Sequence, residues 1–161
     1  MYDFLTALGN FSKEKLDGIS LDDRKGESRF PEFNLFIGQI YGHAMEPRKE
    51  EFPFILVRLL EATDEDIGDC SEYSLAQVRI VVGVWNDGLE AQGYHDLLNC
   101  LTRLANEFFD NPVLEKKYEF TGKMTVATFE DNAQPFWFGD IVCQWQIRRK
   151  TYNPLKLTKG W

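Results

Sequence analysis

A chain of 161 residues fits one domain, which at that size buries roughly 70% of its unfolded surface. Its hydrophobic fraction of 43% and aromatic fraction of 14% exclude a disordered chain. Eighteen basic against 26 acidic residues leave a net charge of -8, and an acidic surface opposes the phosphate contacts that dominate nucleic-acid affinity.

The first thirty residues read as an arm. Tyr2, Phe4, Leu5 and Leu8 suit a short amphipathic helix within residues 2 to 16, although Gly9 and Asn10 in its middle are poor helix formers. Composition leaves two readings of this arm, docked and mobile. Residues 33 to 41, Phe33 to Tyr41, alternate well enough for a first strand. A polar connection follows from Gly42 to Glu51, with the charged run Arg48-Lys49-Glu50-Glu51. Phe52 to Leu60 is nearly continuous in apolar residues and fits a central strand that Pro53 opens.

Thr63 to Ser74 reads as an acidic hairpin loop carrying Asp64, Glu65, Asp66 and Asp69. In the next segment Ala76, Val78, Ile80, Val82 and Val84 share one face of a strand, and Asn86-Asp87-Gly88 ends it with turn residues. Tyr94, Leu97, Leu98, Leu101, Leu104, Ala105 and Phe108 then recur at helical spacing. They place His95, Asp96, Asn99, Arg103, Asn106 and Glu107 on the opposite, polar side. Pro112 stops the helix at Asn111. Val113 and Leu114 connect to a strand from Tyr118 to Phe129, with Tyr118, Phe120, Met124 and Val126 inward. A last strand runs from Gln134 to Arg148, with Trp137 and Trp145 on one face.

These elements predict an α+β fold: an antiparallel sheet of about four to five strands, one long amphipathic helix packed across one face, and a short N-terminal helical arm. The arm spans residues 1–32, a single α+β domain spans 33–148, and a C-terminal tail spans 149–161. If the helix covers one sheet face, aromatic residues on the other face need a second copy or another protein to hide them.

Chemistry is sparse. His43 and His95 lack the spacing of paired metal ligands. The acidic loop fails the calcium-loop pattern, because Gly68 comes one position early and Leu75 stands where a glutamate is needed. Phosphate-binding glycine loops and nucleophile elbows are missing. Cys70, Cys100 and Cys143 read as reduced thiols. The expectation is a non-enzyme with no cofactor and no metal. Met1-Tyr2-Asp3-Phe4-Leu5 lacks a basic region followed by an apolar one, and no run approaches the ~18 apolar residues of a membrane span. The chain is expected to be made and kept in the cytosol until assembly.

One order of short segments carries a resemblance: Phe52-Pro53-Phe54, Val81-Val82-Gly83-Val84, Gly93-Tyr94 with Asp96-Leu97-Leu98-Asn99, Asn111-Pro112-Val113-Leu114, and Pro135-Phe136-Trp137-Phe138-Gly139. In this order the chain resembles the small tail terminator or tail completion proteins of long-tailed bacteriophages and prophages. The resemblance implies a virion structural protein that forms a ring, usually hexameric, on the head-proximal end of the tail tube. Such a ring ends polymerisation and offers a docking surface to the head-neck. The implied partners are other copies of the chain, the tail tube protein and a neck or stopper protein, with DNA passing through without specific binding and no membrane. Arg48, Lys49, Glu50, Glu51, Asp64, Glu65, Asp66 and Asp69 are the candidate lumen or tube-facing residues, with ordinary solvated loops as the other reading. A head-tail connector or minor tail protein, and more remotely a ligand-binding α+β domain, are the alternatives.

Overall fold

The structure is a computed structural model and describes residues 1–22, 28–39, 48–64, 73–88, 90–132 and 134–148. The segments containing Tyr41, His43, Glu65, Asp66, Asp69 and Cys70, and the C-terminal tail, lie outside the described residues.

Helix α1 (Tyr2–Leu16) opens the chain, followed by the two-residue strands β1 (Leu21–Asp22) and β2 (Ser28–Arg29), which pair with each other. Next come β3 (Asn34–Ile37), a 3-10 turn at Lys49–Glu51, β4 (Phe54–Asp64) and β5 (Tyr73–Trp85). Helix α2 (Gln92–Asp110), β6 (Val113–Leu114), β7 (Tyr118–Thr128) and β8 (Phe136–Arg148) complete the order.

Six of the strands form one sheet in the order β3-β4-β5-β8-β7-β6, curled into a half-barrel. The expected antiparallel sheet of four to five strands with one helix is therefore corrected: the sheet has six strands, it is mixed, and two helices pack on it. The mixed character comes from β3, which pairs parallel to β4 from Asn34↔Phe54 to Ile37↔Val57. Periodicity of two places a strand but says nothing of its direction. The extra strand is β6, too short for any pattern, held by Val113↔Glu119 and Leu114↔Tyr118.

Helix α1 is docked. Phe4, Leu8 and Leu16 are almost wholly buried and join the same core as the sheet. The Phe4 ring lies 5.1 Å from that of Tyr118 and 5.9 Å from that of Trp145. Gly9, which argues against this helix by propensity, lies where a side chain would meet Leu35 and Ile37 of β3. Its missing side chain lets α1 approach the sheet closely, and burial outweighs the weak local preference. Asp17 ends the helix and accepts a hydrogen bond from the Phe33 backbone N–H at 2.7 Å, which ties the start of the sheet to the arm.

Both helices pack on one sheet face. Toward them point Ile55 and Val57, the alternating set Ala76, Val78, Ile80, Val82 and Val84, and then Ile141, Cys143 and Trp145, all at or below 1% exposure. Trp137 packs against this core on the same side, as the even spacing from Trp145 predicts. Val126 stands opposite the buried Ile141 yet is 45% exposed, because it lies near the sheet edge where helix cover ends. Between Phe120↔Trp145 and Met124↔Cys143 strand β7 carries two more residues than β8. Thr121 Oγ1 secures this irregularity by donating to the Gln144 carbonyl at 3.2 Å.

A candidate interface on the open sheet face

The sheet face turned away from the helices is set by the opposite half of each alternation. Cross-strand register lines up Phe54, Gly83 and Phe138 at one level, and Arg58, Arg79 and Val142 at another. At the first level a ring cluster forms. Phe52 lies 5.1 Å from Phe54, 5.4 Å from Phe136 and 5.7 Å from Phe138, while Phe129 stacks on Phe138 at 6.0 Å. Gly83 supplies the floor of this cluster: a Cβ there would collide with the Phe54 ring. Phe54 is 1% exposed, and Phe129 forms an exposed rim.

Two levels along, Arg58 and Arg79 stand directly opposite each other. Arg79 Nε contacts Asp140 Oδ2 at 3.0 Å. Burial pushes the Asp140 carboxyl above its ordinary value, and the Arg79 guanidinium offsets part of that rise. Like charges across a strand pair cost stability, and the Asp140 carboxylate offsets that cost at Arg79.

On the helix side of the same end lies a polar node that sequence reasoning missed. Asp96, expected on the polar side of the helix, is 1% exposed, as is Asn86. Asn86 Nδ2 donates to Asp96 Oδ2 at 2.9 Å, and Asn86 Oδ1 accepts from the Gly88 N–H at 2.7 Å. The indole N–H of Trp137 donates to the Asn86 carbonyl at 3.3 Å. Gly93 brings α2 against Trp137, since any Cβ would strike the indole. The helix is rotated accordingly: Asp96 and Cys100 enter the core, while Tyr94 is 39% exposed. The available signal was Asn86-Asp87-Gly88 followed by an acid in the first turns of a helix, a pairing that periodicity treats as noise.

The described candidate site residues fall in two separate places. Lys49 Nζ sits 4.0 Å over the Trp85 ring, and Asn34 Nδ2 donates to the Glu51 carbonyl at 2.9 Å. Arg48 and Glu50 are exposed beside them. Residues 48–51 thus precede the start of β4, whereas Asp64 is its last residue. Ten residues of strand, 54–63, separate the two groups, roughly 33 Å at about 3.3 Å per residue. Glu65, Asp66 and Asp69 lie outside the described residues.

Burial pushes the thiols of Cys100 and Cys143 up to about 12, far from the range of a nucleophilic cysteine. Asp96 adds to the rise at Cys100, and the Trp145 indole N–H, 3.3 Å from Cys143 Sγ, works against it there. Among the described residues no group of three His, Cys, Asp or Glu side chains is placed to hold a metal ion. An open groove lies between Ile19 and Ser20 and the exposed side of α2. Its charged groups are engaged, Arg103 with the Lys15 carbonyl and Glu107 with Lys15 and Asn111. No described helix is long and apolar enough to cross a membrane. No protein-family model matches this chain, and no curated protein matches it.

Proposed function

We propose that this chain is a structural subunit of a long-tailed phage virion, made in the host cytoplasm, that caps the head-proximal end of the tail tube as a ring of about six copies. The reading rests on the ordered segments from Phe52 to Gly139. The observation that carries it beyond them is a sheet with helices on one face only and two unlike edges. One edge is the apolar β3, Asn34–Ile37. The other is β7, which among the described residues is paired on that side by β6 only, at Tyr118 and Glu119, and bears Thr121, Lys123, Thr125 and Thr128 along the remainder. Uncovered edges are normally protected or paired. Unlike edges suit a head-to-tail contact, the kind that closes into a ring.

In such a ring the two groups of charged residues serve different neighbours. Residues 48–51 and the Phe52–Phe138 cluster occupy one end of the subunit, and Asp64 leads away from the other. One end meets the tube and the other meets the neck. The acidic balance of -8 lets DNA pass without gripping it.

Light scattering across a concentration series, with electron microscopy of any large species and of tubes incubated with the protein, tests this reading. Rings of about six copies, free or seated on tube ends, are the expected result. A chain that stays monomeric at high concentration and leaves its matching tubes uncapped overturns it.

A further inference from the structure

The open sheet face repeats along its strands at a regular step. Next to the level of Phe54, Gly83 and Phe138 comes that of Leu56, Val81 and Asp140, and then that of Arg58, Arg79 and Val142. Successive levels lie two residues apart, about 6.6 Å, so the ring cluster and the arginine pair are separated by about 13 Å. Both helices pack on the other face, against the opposite half of each alternation. The rim of the ring cluster is accessible: Phe129 is 40% exposed, and Phe52, Phe136 and Phe138 are half-buried.

The charges at these levels do not balance. Two guanidinium groups stand opposite each other, and one carboxylate, that of Asp140, answers them through Arg79. Arg58 is exposed and has no ion-pair partner among the described residues. It leaves one positive charge unanswered at the end of an apolar area, in a chain whose net charge is -8. A guanidinium in that setting suits a carboxylate, which it can hold in a bidentate, charge-assisted pair. The phosphates and bases of a nucleic acid are the poorer match. Phe52 meets Phe54 edge-on and Phe129 stacks on Phe138, so the rings use their faces on one another rather than offering them to bases.

We propose that this face docks an extended segment of a partner protein that carries two apolar side chains at alternate positions and a carboxylate two positions further on. The apolar pair lies over the phenylalanine cluster and the Leu56 level, and the carboxylate pairs with Arg58. Alternate residues of an extended chain point to one side and repeat at the step of the levels, so three such side chains meet three successive levels. Either chain direction satisfies the spacing. The inference does not depend on the ring reading, because it concerns one face of one subunit and not the number of copies.

Fluorescence anisotropy of the full chain with labelled peptides containing Leu-Thr-Leu-Thr-Glu or its reverse tests it, with Gln in place of Glu as the comparison. In at least one direction the Glu peptide is expected to bind about fivefold more tightly than its Gln counterpart, as an exposed charge pair allows. That preference should vanish in Arg58→Ala, whose fold is checked by far-ultraviolet circular dichroism, while Phe129→Ser should weaken the Glu and Gln peptides alike. Equal binding of the two peptides, no binding, or a preference that survives Arg58→Ala overturns the proposal. Displacement of the bound peptide by oligothymidylate overturns it too, because the face would then be a nucleic-acid surface.

Discussion

Asp140 is the residue at which pH and stability meet. Burial raises its carboxyl above the ordinary range and Arg79 draws it only part of the way back, so the folded chain holds a proton that the unfolded chain has released. Between the ordinary carboxylate value and the raised one the native state binds more protons, and stability falls as pH rises. The contribution is fully present below the unfolded value and is lost above the folded one. Arg79 is 44% exposed, so the ion pair itself contributes only about 0–1 kcal/mol. Asp140→Asn is therefore expected to unfold at neutral pH at a urea concentration no lower than the parent chain, and to show a flatter stability profile in the acid range. A midpoint clearly below that of the parent at neutral pH would mean that the Arg79 contact outweighs the burial cost.

At the scale of elements, β4, β5 and β8 are held in register on the open face by a missing side chain. Gly83 lies beneath the Phe54 ring, with Phe138 on its other side in the ladder. A methyl group there must displace the ring, and overpacking of this kind costs about 1–3 kcal/mol. Gly83→Ala is expected to lose stability in that range in denaturant unfolding, and Phe54→Leu in the same chain should recover part of it. Additive losses in the double variant would sink the idea that the two positions share one space. Gly83 also marks how far the sequence reveals these elements. Strand β5 was legible because its alternation from Ala76 to Val84 is strict, and α2 because its stripe is long, although the rotation that buries Asp96 was not. That rotation depends on Asn86, ten residues away across a turn, and on Gly93 meeting Trp137, contacts no periodic pattern contains. The parallel pairing of β3 and the two-residue β6 were hidden for the same reason: direction and partner are properties of the assembled sheet. Among the described candidate site residues, Lys49 lies over the Trp85 ring and the Glu51 carbonyl accepts from Asn34, and both pairings are long-range.

For the whole molecule, the consequence of docking α1 is that the N-terminal segment and the sheet share one core. Phe4 touches Tyr118 and Trp145, Trp145 touches Phe108 and Phe120, and Phe11 stacks on Phe108 at 5.8 Å. This chain of rings links the first helix, the second helix and the two strands β7 and β8. An arm that merely rested on the surface would be removable at little cost. Deleting a buried phenylalanine from a core leaves a cavity worth about 3–5 kcal/mol, a large share of the 5–15 kcal/mol by which a domain is usually stable. Phe4→Ala is thus expected to lower stability by that order, and the loss should appear at a single denaturant midpoint whether unfolding is followed by tryptophan fluorescence or by far-ultraviolet circular dichroism. Coincident midpoints identify one cooperative unit. Two separated transitions, with the helical signal lost first and the fluorescence unmoved, would instead make α1 an appendage. In that case the sheet would have to be stable without the Phe4 contacts, and the ring of the proposed assembly would have to be built from β3 to β8 without help from the first helix.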